Sequence, residues 1–256
     1  MNVNYRLLLL FYVFIISLPV YSTVQKLQNN VFEIGEKLVY DAYYNWSFLW
    51  IKAGIAEFSV EKNNDNDKIR LKATGSSLPQ YDWIFKVRDS FVSEIDAKTL
   101  KPLYFKRSTY EGSYWVKNQF FFDYNKNNVN CVLSNKDRKA NTSISSLDDL
   151  RDVLSAVYYC RSIDFSAYEI GDKIPIQLLI EGDAYPVFIR LLGYETLVLK
   201  NGKTYNTIKF SVKLVEGTIF NGGEKLTVYV TNDISRKPVY VEGEILVGSV
   251  KAIIRE

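Results

Sequence analysis

The chain has 256 residues, a net charge of +3, 15% aromatic residues, two cysteines and no histidine. Without histidine it has neither a Ser-His-Asp nor a Cys-His nucleophile and none of the common zinc sites, which removes most familiar hydrolases. A charge this close to neutral argues against a nucleic-acid groove, while enzymes built on two carboxylates or a Ser-Lys pair survive the exclusion.

The first element is an apolar run from Leu7 to Val20, with Arg6 before it and small residues up to Ser22 after it. It is too short to span a bilayer comfortably, and its charged start, apolar centre and small-residue end predict a signal peptide, residues 1–22, removed on export. No later apolar run is long enough to cross a membrane, so residues 23–256 are expected as one exported domain without a transmembrane segment. In an oxidising compartment Cys131 and Cys160 are expected to form a disulfide.

Strands are expected at Lys37–Tyr44, Ala53–Glu61, Lys68–Thr74, Val87–Ile95, Leu103–Tyr110 and Tyr114–Tyr124, the last two joined by a Glu111-Gly112 hairpin. The polar stretch Ser134–Ser145 has the composition of a mobile loop. A helix follows near residues 147–161, opened by a capping box of Ser146 and Asp149 and carrying Leu150, Leu154, Val157 and Tyr158 at helical spacing.

Period-two alternation then dominates: Ile176, Leu178 and Ile180; Val187, Ile189 and Leu191; Ile208, Phe210, Val212 and Leu214; Leu226, Val228 and Val230. Gly182-Asp183, Asn201-Gly202 and Asn221-Gly222-Gly223 supply the turns. Val239–Ile245 and Val247–Ile254 read as one strand bent at Gly243 or Gly248. The class is mainly β (α+β): a large curved antiparallel sheet forming a barrel, half-barrel or sandwich, with one helix across its concave side.

Several short segments stand in a set order along nearly the whole chain: Gly35-Glu36-Lys37-Leu38-Val39-Tyr40-Asp41, Lys52-Ala53-Gly54, Val87-Arg88-Asp89, Leu100-Lys101-Pro102-Leu103, Asp152-Val153-Leu154-Ser155-Ala156 and Arg236-Lys237-Pro238-Val239. Together they resemble the exported bacterial family called domain of unknown function 3108. The resemblance implies a periplasmic, cell-envelope protein of Gram-negative bacteria and brings no activity, cofactor or catalytic residue with it.

Four constellations bear on chemistry, each against a structural alternative. Asp148, Asp149 and Asp152 have the residue type of calcium ligands, but acidic residues at a helix start are what the helix dipole favours, so no metal is expected. Glu242 and Glu244 share a strand face and suit glycosidic acid-base work, although alternating charge on a solvated face explains them as well. No catalytic residue or cofactor is assigned.

Aromatic runs at Tyr43–Trp50 and Tyr110–Phe122 suit a lipid tail or a sugar face as well as a core. Arg88-Asp89, Arg107 and Arg161 suit an acidic headgroup as well as structural ion pairs. The expected site is therefore a pocket on the inner face of the sheet, with Trp83, Phe85, Trp115 and Tyr159 holding an apolar tail and Arg88, Arg107 and Arg161 nearby.

The leading functional expectation is a periplasmic, non-enzymatic binding or carrier protein for an amphipathic or apolar ligand. An envelope structural or assembly protein with a protein partner and a carboxylate-type, glycan-active enzyme are the alternatives. A continuous apolar cavity separates the first from the second, which needs an exposed aromatic patch on a filled interior, and from the third, which needs two facing carboxylates.

Overall fold

The computed structural model describes residues 31–46, 49–145, 147–215, 223–244 and 248–255. The segment read as a signal peptide, residues 1–22, lies outside them. The first half contains β1 (Lys37–Trp46), β2 (Leu49–Lys62), β3 (Lys68–Ser77), β4 (Arg88–Asp96), β5 (Pro102–Glu111), β6 (Tyr114–Asp123), β7 (Asn128–Asn135) and β8 (Lys139–Ser145). Then come β9 (Leu150–Arg151), α1 (Val153–Arg161), β10 (Lys173–Ile180), β11 (Asp183–Val198), β12 (Thr204–Leu214), β13 (Gly223–Thr231), β14 (Pro238–Glu244) and β15 (Ser249–Ile254).

All fifteen strands join one sheet, ordered β8-β7-β6-β5-β4-β3-β2-β1-β15-β14-β13-β12-β11-β10-β9. Every pairing is antiparallel except the two-residue one between β9 and β10. The fold is mainly β, as the alternation predicts, and β1 and β15 meet at its centre.

The edges approach each other through side chains. Glu181, in the β10–β11 turn, pairs with Arg107 of β5 at 3.5 Å. The next residue, Gly182, has φ +89, and a Cβ built on it would lie 2.8 Å from Thr142 Oγ1 of β8 and 3.0 Å from Leu133 of β7. Glycine is therefore required twice there, by the backbone angle and by the close approach.

Alternation turns one face of every strand inward. In the first half Phe105, Phe120, Phe122, Leu71 and Ile95 pack into one cluster with Leu154 and Tyr158 of the helix. In the second half Ile174, Ile189, Phe210 and Val230 form another with Ala156 and Tyr159. α1 is thus wedged between the clusters, and its ends are tied to both halves.

At the N-terminus of α1 the buried Asp152 carboxylate accepts from Leu154 N and Ser155 N, both at 2.9 Å, and from Ser93 Oγ of β4 at 2.7 Å. Beside it Arg151 donates to Leu100 O at 2.8 Å. At the C-terminus Arg161, 2% exposed, holds Glu36 through both terminal nitrogens, at 2.6 and 2.9 Å, and donates to Val31 O and Ser235 O.

Three local expectations are corrected. The helix begins at Val153 with Asp152 as its cap, because Leu150 and Arg151 are drawn into pairing with β10. The polar stretch Ser134–Ser145 contains β8, an edge strand whose inward Ala140 and Ile144 pack on the first cluster while its outward residues stay polar. Val239–Ile245 and Val247–Ile254 correspond to two antiparallel strands, β14 and β15, with Gly248 at φ +85 just before β15.

The expected Cys131–Cys160 disulfide is not formed: both are free thiols. Cys131 sits in the first cluster on β7, while Cys160 lies on the opposite flank of α1, against the second. The two belong to different packing regions.

Candidate ligand cavity

Register builds the site. Ala42 of β1 faces Ala252 of β15, which faces Val241 of β14, then Val228 of β13 and Phe210 of β12. One step along the strands, Leu226, Val212 and Ile189 form the neighbouring row. Small side chains at Ala56 and Ala252, with Ala156 and Val157 opposite on α1, leave a cavity of about 410 Å³ between helix and sheet. This falls within the ~300–1,000 Å³ range of small-molecule sites.

The cavity has a closed and an open end. α1 covers one end, where its termini bind the β4–β5 and β13–β14 connections. Towards the other end burial falls stepwise along neighbouring strands: Val230, Val228, Leu226 on β13 and Ile174, Ile176, Leu178 on β10. Val157 faces this space from the helix and is 39% exposed. The turns β5–β6, β7–β8 and β10–β11 and the β3–β4 loop all lie at the open end, as antiparallel alternation demands.

The lining is almost wholly apolar, and most of its polar groups are already engaged. Tyr40 donates to Pro238 O at 2.9 Å. Arg161 reaches the wall with its guanidinium spent on Glu36 and backbone carbonyls. Burial pushes the Cys160 thiol up to about 12, so it lines the cavity as a neutral group. The exception is Tyr158, buried and lining the cavity, whose hydroxyl has no hydrogen-bond partner among the described residues.

Of the residues expected to line the pocket, the structure brings only Arg161 to the cavity. Arg88 projects outward and grips Asp82 at 3.1 and 2.6 Å. Trp115 lies on the outer face of β6, opposite in parity to buried Val116, with the Lys117 ammonium 5.7 Å from its ring. Trp83 and Phe85 sit on the β3–β4 loop and are exposed. Tyr159 is buried under the Arg151 guanidinium, 3.5 Å from its ring centroid. Tyr158, Val157 and Cys160 went unassigned because a cavity is marked in sequence only by small side chains, which look like ordinary core.

Arg107 does face inward, but in the first half, beside a second and polar cleft. That cleft, about 290 Å³, is lined by Asn118, Arg138, Glu181, Asp183 and Tyr185. Arg107 Nε is buried there without a partner among the described residues. Asp89 faces the same interior, accepting from Tyr110 N at 3.1 Å. Burial and the nearby Glu111 raise its carboxyl to about 6 against the pull of Tyr110 N and Arg107.

The carboxylate pair has no catalytic geometry. Glu242 bonds Tyr240 and pairs with Lys251 at 3.3 Å, while Glu244 pairs with Lys225 at 2.8 Å. Among the described residues no group of three or more potential metal ligands converges.

A crystal structure described as a beta-barrel-like protein of domain of unknown function DUF1849 from Brucella abortus has the same fold. Its TM-score is 0.55 at 7% identity, covering 87% of this chain and 96% of that one. A search of curated proteins returns no match. The family model described as "Protein of unknown function (DUF3108)" matches residues 39–255, the sheet from β1 to β15 with α1 inside it, and the chain belongs to that family.

Proposed function

We propose that this protein is a periplasmic, non-enzymatic carrier that holds a small lipid or similar amphipathic molecule between α1 and the second half of the sheet. The observation that carries the reading is the apolar cavity of about 410 Å³, open at one end and closed by a helix at the other. The almost wholly apolar lining favours a ligand whose enclosed part is apolar. Placement in the periplasm rests on the leader-like residues 1–22.

The test is native mass spectrometry of the mature protein recovered from producing cells, paired with titration by a fluorescent fatty acid. The wild type should carry an adduct or bind the probe. Val157→Trp, which places a large side chain in the cavity from a partly exposed helix position, should lose both while keeping the wild-type melting temperature within a few degrees. A wild-type protein with neither adduct nor probe binding refutes the reading.

A further inference from the structure

We propose that the β3–β4 loop is a membrane-docking tip, which seats the open end of the cavity on a bilayer surface rich in anionic phospholipid. Three consecutive large apolar residues project from this loop: Trp83, 83% exposed, Ile84, 63%, and Phe85, 54%. A soluble protein has no use for such a run at the tip of a loop unless something covers it.

The loop is held rather than loose. Leu78 N donates to Ala53 O of β2, and Gly112 N, beyond β5, donates to Lys86 O, each at 2.8 Å. Asp82 is clamped by Arg88, which also neutralises the one acidic group within the loop. Phe85 lies against Gly112, where a built Cβ would come within 2.9 Å of its ring. These ties fix the base, and the apolar tip stands off the end of the sheet.

The partner's chemistry follows from size and charge. Three side chains on one convex loop fall well short of the ~800 Å² per partner of a stable protein interface. They suffice for shallow insertion among lipid headgroups, where the amphipathic indole ring is at home. Lys86, beside the tip, makes no salt bridge among the described residues. The β7–β8 turn at the same end exposes Lys136, Arg138 and Lys139 against Asp137. Even against Glu111, which lies opposite Val87 at the intervening β5–β6 turn, these basic groups leave positive charge in excess around the apolar tip, as suits an anionic surface. Because the tip and the cavity mouth share one end of the sheet, docking brings the mouth to the lipid.

The test is cosedimentation of the mature protein, recovered from producing cells, with vesicles of phosphatidylglycerol and phosphatidylcholine in equal parts and with phosphatidylcholine alone. The wild type should favour the anionic vesicles. The double variant Trp83→Ala/Ile84→Ser should bind them more weakly by about tenfold or more. Ile170→Ser/Ile234→Ser, which removes comparably exposed apolar residues outside this end, should bind as the wild type does. No wild-type binding, equal binding to both vesicles, an unaffected tip variant or an equally impaired control each overturns the proposal. The tip variant should still retain its adduct in native mass spectrometry, so failure of docking and failure of the carrier reading are separately visible.

Discussion

The two halves of the sheet share a pairing scheme and diverge inside it. The first half turns Phe105, Phe120 and Phe122 inward and packs them into a cluster, with a polar cleft near the turns. The second half turns Val187, Val212, Val228, Val241 and Ala252 inward and stays hollow. Aromatic density therefore marks the packed half, and the aliphatic half holds the cavity. The volume of the inward side chain, summed over a ring of strands, decides which interior closes.

Removing a large ring from the filled half should have the largest effect. Phe120 is fully buried and stacked on Phe105 at 5.2 Å. Phe120→Ala should lower unfolding free energy by ~3–5 kcal/mol in a denaturant titration. A loss near 1 kcal/mol would mean that the first half is not packed as described.

Enlarging a small residue should separate the halves more directly. Ala73 is buried in the first cluster, so Ala73→Leu adds volume to a packed interior and should cost ~1–3 kcal/mol. Ala252→Leu grows into the cavity instead and should stay within ~0.5 kcal/mol of wild type or exceed it. Equal losses at the two positions would erase the contrast.

The smallest effect concerns the polar cleft. Folded Asp89 keeps its proton up to about pH 6, whereas an unfolded aspartate releases it near ~3.9. The folded state thus binds more protons across that window, and stability falls as pH rises through it. For a half-exposed group the amplitude is on the order of 1 kcal/mol. Asp89→Asn should flatten this slope and raise stability at neutral pH; an unchanged slope assigns it elsewhere.

Strand content was legible because period two is a backbone property, and turns such as Asn201-Gly202 sit where expected. Parity was harder. On β4, Arg88, Ser90, Val92 and Glu94 alternate with Asp89, Phe91, Ser93 and Ile95, and both sets mix polar with apolar. Only pairing with β3 shows that Asp89 faces in and Arg88 out. On β6 aromatic residues occupy both parities, which is why Trp115 reads as a lining residue and stands outside. The helix start was misplaced because Leu150 and Arg151, which continue the helical spacing, pair instead with Gln177 and Leu178 of β10, a contact that no local pattern announces.

The pairing of β1 with β15 sets a timetable for the newborn chain. Tyr40 and Ile254 are register partners, so the central ladder joins segments made more than two hundred residues apart. At ~5–20 residues per second, β1 waits roughly 10–40 s for its neighbour on that side. During the wait β1 presents an unpaired edge, joined at the very end by that of newly made β14, and each is a template for any passing strand. A chain cut short before Ser249 would keep both edges permanently, so quality control of this protein has reason to act on chains that have nearly finished.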